Sequence, residues 1–215
     1  MTKSQGRKGG GRRSANKSDL SEFDRLVSED DTLSPVFAYW NGKRKAAQLP
    51  CRDDINPADI TDLLPHVGLI DVLGKAENFR YRLIGTYMVD MFGRDFTGTT
   101  LGDQFKHGSY GRFLHTYYAD AVQSRAPVFC ESVFHYRGSS DLRIRRLVLP
   151  LRAAADSQDI TFLFFANSFY RGLGRGAFIY ANAELDGPYL SENIEDITLV
   201  TQTRGLAGPD HCYPC

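Results

Sequence analysis

The residues with the clearest capacity for chemistry stand at the C-terminus, in "HCYPC". His211, Cys212 and Cys215 form a C-x-x-C pair preceded by a histidine. Such a pair supplies half of a zinc site, and closing the site needs two more ligands. Cys51 stands alone in the sequence, and Cys130 lies in a predicted strand. We therefore interpret the end of the chain as an unstructured tail with reactive thiols, and we predict no metal site.

Sequence patterns typical of enzymes are missing. The chain has no G-x-S-x-G nucleophile motif, and no glycine-rich phosphate loop leads from a strand into a helix. The acids of "CRDD", Asp53 and Asp54, follow an arginine in a loop, where acids more often cap a helix or face solvent. We therefore expect that the protein is not an enzyme and has no catalytic residues.

The balance of charge argues against a nucleic-acid partner for the chain as a whole. Its 215 residues carry 26 Lys and Arg and 26 Asp and Glu. Apolar runs stay shorter than the roughly 18 residues of a membrane-spanning helix, and the N-terminus lacks the apolar stretch of a secretory signal. With four scattered cysteines, this composition predicts a cytoplasmic protein that neither enters a membrane nor, in its main part, binds nucleic acid.

Three segments differ in composition. Residues 1–31 begin with a basic, glycine-rich tail that we expect to be disordered, followed by an acidic segment. Within that segment Leu20, Phe23, Leu26 and Val27 have the spacing of a short amphipathic helix. Residues 32–170 form the globular part, and residues 171–215 form an extension that we predict to be largely irregular.

The globular part alternates between strand and helix patterns. Residues 79–84 alternate in period two after a short polar turn, which is typical of a hairpin. A glycine-broken stretch and one long amphipathic helix follow, and three strands joined by short turns end the segment as an antiparallel meander. The predicted strands cover residues 67–73, 79–84, 128–136, 142–151 and 160–169.

This order of elements resembles the PAS fold. Four stretches carry the resemblance to a bacterial family of stand-alone PAS proteins: "LPCRDDINPADITDLLPHVGLIDV", "FRYRLIGT", "MFGRDFTG" and "RRLVLPL". The resemblance covers roughly residues 34–168. It implies an α+β fold with a PAS-like five-stranded antiparallel sheet, and with short helices and one long connecting helix on one face. In that fold the glycines of "LIGTYMVDMFGRDFTGTTLGD" let the short helices reverse direction over the sheet.

The resemblance also implies where a ligand pocket, when present, would lie: between the inner face of the sheet and the helices. We expect apolar and aromatic side chains rather than charges to line this interior; the alternative is that the same side chains simply fill the core. The candidate ligand-binding residues are Phe79, Tyr81, Leu83, Met88, Phe92, Phe113, Tyr117, Phe129 and Leu147.

A cytoplasmic sensory or protein-interaction module is the function that this resemblance favours, acting through ligand- or partner-dependent contacts. One alternative is a sensor with a cofactor, haem or flavin, because some PAS domains bind haem through a helix histidine and His115 lies in the predicted long helix. Another is a nucleic-acid-associated factor that uses the basic tail. No cofactor is identified by the sequence itself.

The last predicted strand, "ITFLFFA", is apolar on both of its faces, so both faces should be covered. Helices cover one face, and either a short N-terminal helix or a second subunit covers the other. We therefore expect a homodimer, in which Trp40, Leu163 and Phe165 lie at the interface. An unidentified signalling protein is a further expected partner.

Overall fold

A six-stranded antiparallel sheet forms the centre of the structure. The computed structural model describes residues 22–45, 48–104, 109–134, 142–171 and 194–201. Every pairing between neighbouring strands is antiparallel. The strands are β1 (Val67–Leu73), β2 (Asn78–Ile84), β3 (Val128–Phe134), β4 (Leu142–Arg152), β5 (Ile160–Arg171) and β6 (Ile194–Thr201).

The strand order is β2-β1-β5-β4-β3-β6. The predicted hairpin and the predicted meander are both confirmed, and together they make the five strands expected for a PAS-like α+β fold. The sixth strand, β6, pairs with β3 along the free edge of those five. Sequence patterns did not reveal β6, which lies within the C-terminal segment predicted to be largely irregular.

Five helices and three 3₁₀ turns surround the described part of the sheet. The turns cover Arg52–Asp54, Pro57–Asp59 and Thr61–His66, and they lead the chain into β1. The helices are α1 (Glu22–Ser28), α2 (Leu33–Gly42), α3 (Thr86–Phe92), α4 (Leu101–Gln104) and α5 (Ser109–Ser124).

The long helix α5 packs on one face of the sheet, which we call the inner face. The Tyr117 hydroxyl lies 2.9 Å from two backbone carbonyl oxygens, those of Val128 and Arg146, and so attaches α5 to β3 and β4. Aromatic contacts extend the packing to β2, where the rings of Phe79 and Tyr118 are 5.3 Å apart. The predicted arrangement of one long helix over one face is confirmed.

Helices α1 and α2 cover the opposite, outer face. Trp40 of α2 is fully buried, and its indole N–H donates to the Pro150 carbonyl of β4 at 3.2 Å. The ring of Phe37 joins the two helices, because it contacts both Phe23 of α1, at 5.3 Å between centroids, and Trp40, at 6.2 Å. The N-terminal helices of the same chain therefore seal this part of the outer face.

This packing contradicts the predicted interface residues. Leu163 and Phe165 point to the inner face, because Phe165 lies 6.3 Å from the ring of Tyr81, which contacts α5 through Tyr118. All three predicted interface residues, Trp40 included, are buried within one chain. The error arose because a strand that is apolar on both faces does not tell which face a given side chain occupies.

One buried carboxylate fastens the N-terminal helices to β5. Asp30 lies between α1 and α2, and its Oδ1 accepts the backbone N–H of Leu33 at 2.9 Å, which caps the start of α2. Its Oδ2 accepts the hydroxyls of Ser168 and Tyr170. The guanidinium of Arg145 is 3.9 Å away. Asp30 is fully buried, so these partners together replace the water that it would otherwise bind.

Two glycines explain why the stretch after β2 is broken. Gly93 ends α3 with a φ of 70°, in the left-handed region. Gly85 precedes α3 and lies against the turn before β1, where an added Cβ would be 2.3 Å from the Pro65 carbonyl oxygen and 2.4 Å from that of Leu64. The chain therefore needs glycine here to fold α3 back over the sheet.

Replacing Gly85 by Ala is expected to destabilise the protein by about 2 kcal/mol or more, because both clashing atoms belong to the backbone. Urea unfolding followed by circular dichroism would measure the loss. Gly42→Ala is the matched control, since nothing lies within 4 Å of a Cβ at that helical position. Equal stability of the two variants would show that the turn before β1 does not press against Gly85.

Several sequence predictions fall outside the described residues. These are the basic tail and the "HCYPC" motif. In the part of the chain that the structure describes, no helix combines the length and the apolar character needed to cross a membrane.

Candidate functional site

A cluster of polar side chains lies buried between α5 and the inner face of the sheet, and we call it the tyrosine–arginine cluster. It combines one cation with four phenol rings from three different elements. Such groups lose water on burial, so their hydrogen bonds to one another decide how costly the arrangement is. The members are Tyr81 of β2, Tyr110, Tyr117 and Tyr118 of α5, and Arg146 of β4.

Arg146 is the charge in this cluster, and only 3% of it is exposed. It occupies an inner-face position of β4, between Ile144 and Val148 in the alternating pattern of the strand. Its guanidinium donates to the Tyr110 hydroxyl at 2.6 Å and lies 5.6 Å from the centre of that ring. Burial, the largest single influence, lowers the pKa of Arg146, but the surrounding phenols and the Cys130 thiol together raise it above its usual value.

Tyr81 and Tyr118 face each other beside this charge, with their hydroxyl oxygens 3.3 Å apart. Burial raises the pKa of both phenols, so both remain protonated. One hydroxyl can donate to the other, but the second O–H then needs a different acceptor. The pair thus offers one more donor than it uses internally.

Tyr117 has a different task. Its hydroxyl bonds to the two strand carbonyls described above and therefore holds α5 in place. Cys130 lies on β3 opposite Arg146 of β4, and burial raises the pKa of its thiol. We therefore assign Tyr117 and Cys130 a structural role at the border of the cluster.

Six of the nine predicted ligand-binding residues lie on the inner side. Phe79 and Tyr81 contact α5 directly, and Phe113 stacks on Tyr117 with 5.9 Å between ring centres. Phe92 packs against Phe169 of β5 at 5.6 Å, and Met88 of α3 is fully buried. The structure therefore brings Phe79, Tyr81, Met88, Phe92, Phe113 and Tyr117 to the inner half of the core.

The other three predicted residues lie elsewhere. Phe129 and Leu147 are paired neighbours that point to the outer face, because Arg146, next in β4, points inward. Leu83 is 49% exposed. The register shifts in β1–β2, where Leu69 pairs with Leu83 but Ile70 pairs with Tyr81, so an extra residue reverses the facing of Leu83.

The prediction of an interior without charges is wrong at Arg146. Tyr110 and Tyr118 were also missed as members of the candidate site. The available signal was the position of Arg146 at an inward-facing point of a strand whose neighbouring positions in that phase, Ile144 and Val148, are apolar. A single arginine among apolar residues on the inward face of a strand is unusual, because arginine is rarely fully buried without partners.

His115, the candidate haem ligand, lies on the side of α5 that faces the β1–β2 turn. Its Nε2 is 3.2 Å from the Glu77 carbonyl oxygen, and its ring lies 5.4 Å from that of Phe79. The side chain is therefore engaged by the loop rather than directed into the tyrosine–arginine cluster. Elsewhere, Asp54 of "CRDD" accepts the backbone N–H of Cys51 at 2.9 Å, which lowers its pKa to about 2 and makes it a cap of the local turn.

Comparison with known proteins agrees with this architecture. The family model described as PAS domain matches residues 29–164, which is well over half of the 215 residues. The match begins just before Asp30 and ends within β5, so it contains the N-terminal helix α2, helix α5 and the whole tyrosine–arginine cluster. A search of curated proteins found no match. The fold, the strand order and the family match together show that the chain belongs to the PAS domain family.

Proposed function

We propose that this protein is a non-enzymatic, cytoplasmic PAS-type module that senses a ligand and passes the signal on by contact with a partner. Membership of the PAS family supports a sensory, signalling or interaction role in general. Ligand dependence is the finer part of the proposal, and it rests on the tyrosine–arginine cluster. Replacing buried charged groups by well-packed apolar ones is often neutral or stabilising, so packing alone does not account for such a cluster.

Helix α5 is the element through which an occupied cluster would act. It contributes Tyr110 and Tyr118 to the cluster, and its Tyr117 is bonded to the backbone of β3 and β4. A ligand that moves the side chains of Tyr110 and Tyr118 would therefore change how α5 packs against the sheet. Ligand binding and helix position are coupled in this proposal.

A second copy of the chain and an unidentified signalling protein are the proposed partners. Because the predicted interface residues are buried inside one chain, any partner must use other surfaces. The large apolar side chains that are exposed are Leu83, Tyr87 and Tyr170, among the described residues. Sedimentation at tens of micromolar would compare the wild type with Leu83→Ser. A dimer that uses β2 should weaken in the variant, whereas a dimer that uses another surface should not change.

The ligand-sensing proposal is tested with a protein-free filtrate of the native lysate. We expect the filtrate to raise the melting temperature of the purified protein, and to raise it further when the filtrate is concentrated, because a ligand that binds only the folded state stabilises it. An absorbance spectrum of the same sample tests for a bound cofactor, because a Soret band would indicate haem and a flavin band would indicate flavin. A melting temperature unmoved by filtrates from several growth conditions would contradict the proposal.

A further inference from the structure

We propose that His66 makes the position of α3 sensitive to pH, so that acidification releases this helix from the 3₁₀ turn Thr61–His66 that precedes β1. The inference goes beyond the proposed function, because it concerns a proton and a site outside the tyrosine–arginine cluster. Three observations carry it: the contact between this turn and α3, a buried ring nitrogen of His66, and the charges on the elements around it.

The first observation is the contact that fixes the start of α3. Gly85 precedes this helix and has no side chain that could cap it. Its N–H donates instead to the carbonyl oxygen of Val67, the residue after the turn, at 2.8 Å. The ring of His66 lies 4.5 Å from that of Tyr87, which contacts Phe169 of β5 at 5.9 Å. His66 therefore supports the first turn of α3 and the aromatic side chain that joins this helix to the sheet.

The second observation is the Nδ1 atom of His66. This atom is shielded from solvent and has no hydrogen-bond partner among the described residues, although the side chain as a whole is only partly buried. A neutral imidazole tolerates such a position when its proton is on Nε2, whereas an imidazolium also carries a proton on Nδ1. Protonation thus creates a buried donor without an acceptor, unless the ring moves away from Tyr87 toward water.

The third observation concerns the charges around His66. Its turn packs chiefly against α3, β1, β5 and the preceding 3₁₀ turn. Asp59 and Asp71 of these elements are both in ion pairs with basic residues. The other titratable groups with described side chains on the turn and on these elements are Asp62, Tyr87, Asp90 and Tyr170. None of them offsets the effect of burial, which lowers the pKa of His66.

The direction of the effect follows from these contacts. Because burial lowers the pKa of His66 below its ordinary value of 6.5, the neutral ring gives the strongest contact with α3. The stabilisation is present above pH 6.5 and is lost as the pH falls from there to the lowered pKa of the folded protein. Attraction between an imidazolium and the Tyr87 ring acts in the opposite sense. The rings are tilted by 47°, and at a partly exposed site this attraction is weaker than the cost of a buried unsatisfied donor.

Hydrogen exchange of the full chain at about pH 7.5 and about pH 5 tests the inference. The protection of the α3 amides is expressed relative to that of the β4 amides in the same sample, which removes the intrinsic effect of pH on exchange. In the wild type we expect the relative protection of α3 to fall about threefold or more on acidification.

Three variants separate the titration of His66 from other effects of pH. His66→Phe keeps a ring beside Tyr87 but has no titratable nitrogen, so its relative protection of α3 should be the same at both pH values. If that variant does not fold, His66→Gln carries the test with the same expectation. His115→Gln is the matched control, because His115 contacts the Glu77 carbonyl oxygen rather than α3, and it should keep the full pH effect.

Two results would overturn the inference. One is a wild type in which the relative protection of α3 does not change between the two pH values. The other is an equal loss of protection in the wild type and in the folded His66 variant, because the proton would then act at another residue.

Discussion

Phe165→Glu is expected to abolish folding of the chain. The ring is 3% exposed, lies 6.3 Å from that of Tyr81, and fills the space beside Gly68, where an added Cβ would be 2.3 Å from it. The substitution removes a core aromatic ring and places a carboxylate in a site built for a ring. The combined cost is about 5 kcal/mol or more, which is comparable with the whole stability of many domains.

Leu83→Glu is the matched control for this prediction. Leu83 is an apolar residue that the sequence also placed in the interior, yet it is 49% exposed on β2. Its replacement should change stability by no more than about 0.5 kcal/mol. Circular dichroism and the yield of soluble protein would compare the two variants. A soluble, folded Phe165→Glu variant that only changes oligomeric state would restore the interface assignment and contradict the inner-face position of Phe165.

Asp30→Ala is expected to have the second-largest effect, a loss of about 3 to 5 kcal/mol, similar to that of breaking a buried charged pair. The substitution leaves the N–H of Leu33 and the hydroxyls of Ser168 and Tyr170 without their acceptor in a buried setting. Arg145 also loses the carboxylate 3.9 Å from its guanidinium. We therefore expect α1 and α2 to detach from the outer face before the sheet unfolds.

The measurement is hydrogen exchange combined with urea unfolding. In Asp30→Ala, the amides of α1 and α2 should exchange faster than in the wild type, while those of α5 should keep their protection. Asp31→Ala is the control, since Asp31 is the exposed neighbour of Asp30 and its loss should cost no more than about 0.5 kcal/mol. Equal protection of α2 in the two variants would mean that Asp30 does not hold the N-terminal helices.

The strands of the sheet could be predicted because their signals are local. The span Val67–Leu73 agrees with the predicted strand, and the starts of β3, β4 and β5 agree as well. Period-two alternation and short polar turns determine these elements without help from distant residues. The paired edge strand β6 has no such signal, because its place depends on the free edge of β3.

The facing of individual side chains could not be predicted as well, and Leu83 and Leu147 show why. A single extra residue in β2 reverses the pattern at Leu83, and nothing in the letters "FRYRLIGT" marks it. In β4 both faces are covered, so apolar character alone leaves the side of Leu147 undetermined. The face to which Leu147 points is known only because its neighbour Arg146 contacts α5.

The candidate site was missed at its most informative residue. Arg146 stands next to Arg145 in the sequence, yet one points inward and the other lies beside Asp30 on the outer face. The sequence suggests that the two arginines form one basic patch, whereas the alternation of side chains along a strand places Arg145 and Arg146 on opposite faces. Burial of one arginine depends on α5, which lies more than 20 residues away in the chain.

Native mass spectrometry of the protein equilibrated with lysate filtrate tests the central claim, that the tyrosine–arginine cluster holds a small ligand. We predict one small molecule bound per chain in the wild type and in Tyr117→Phe, and its loss or strong reduction in Arg146→Met and Tyr118→Phe. A wild-type spectrum without any bound molecule, or the same bound mass in all four proteins, would contradict the account.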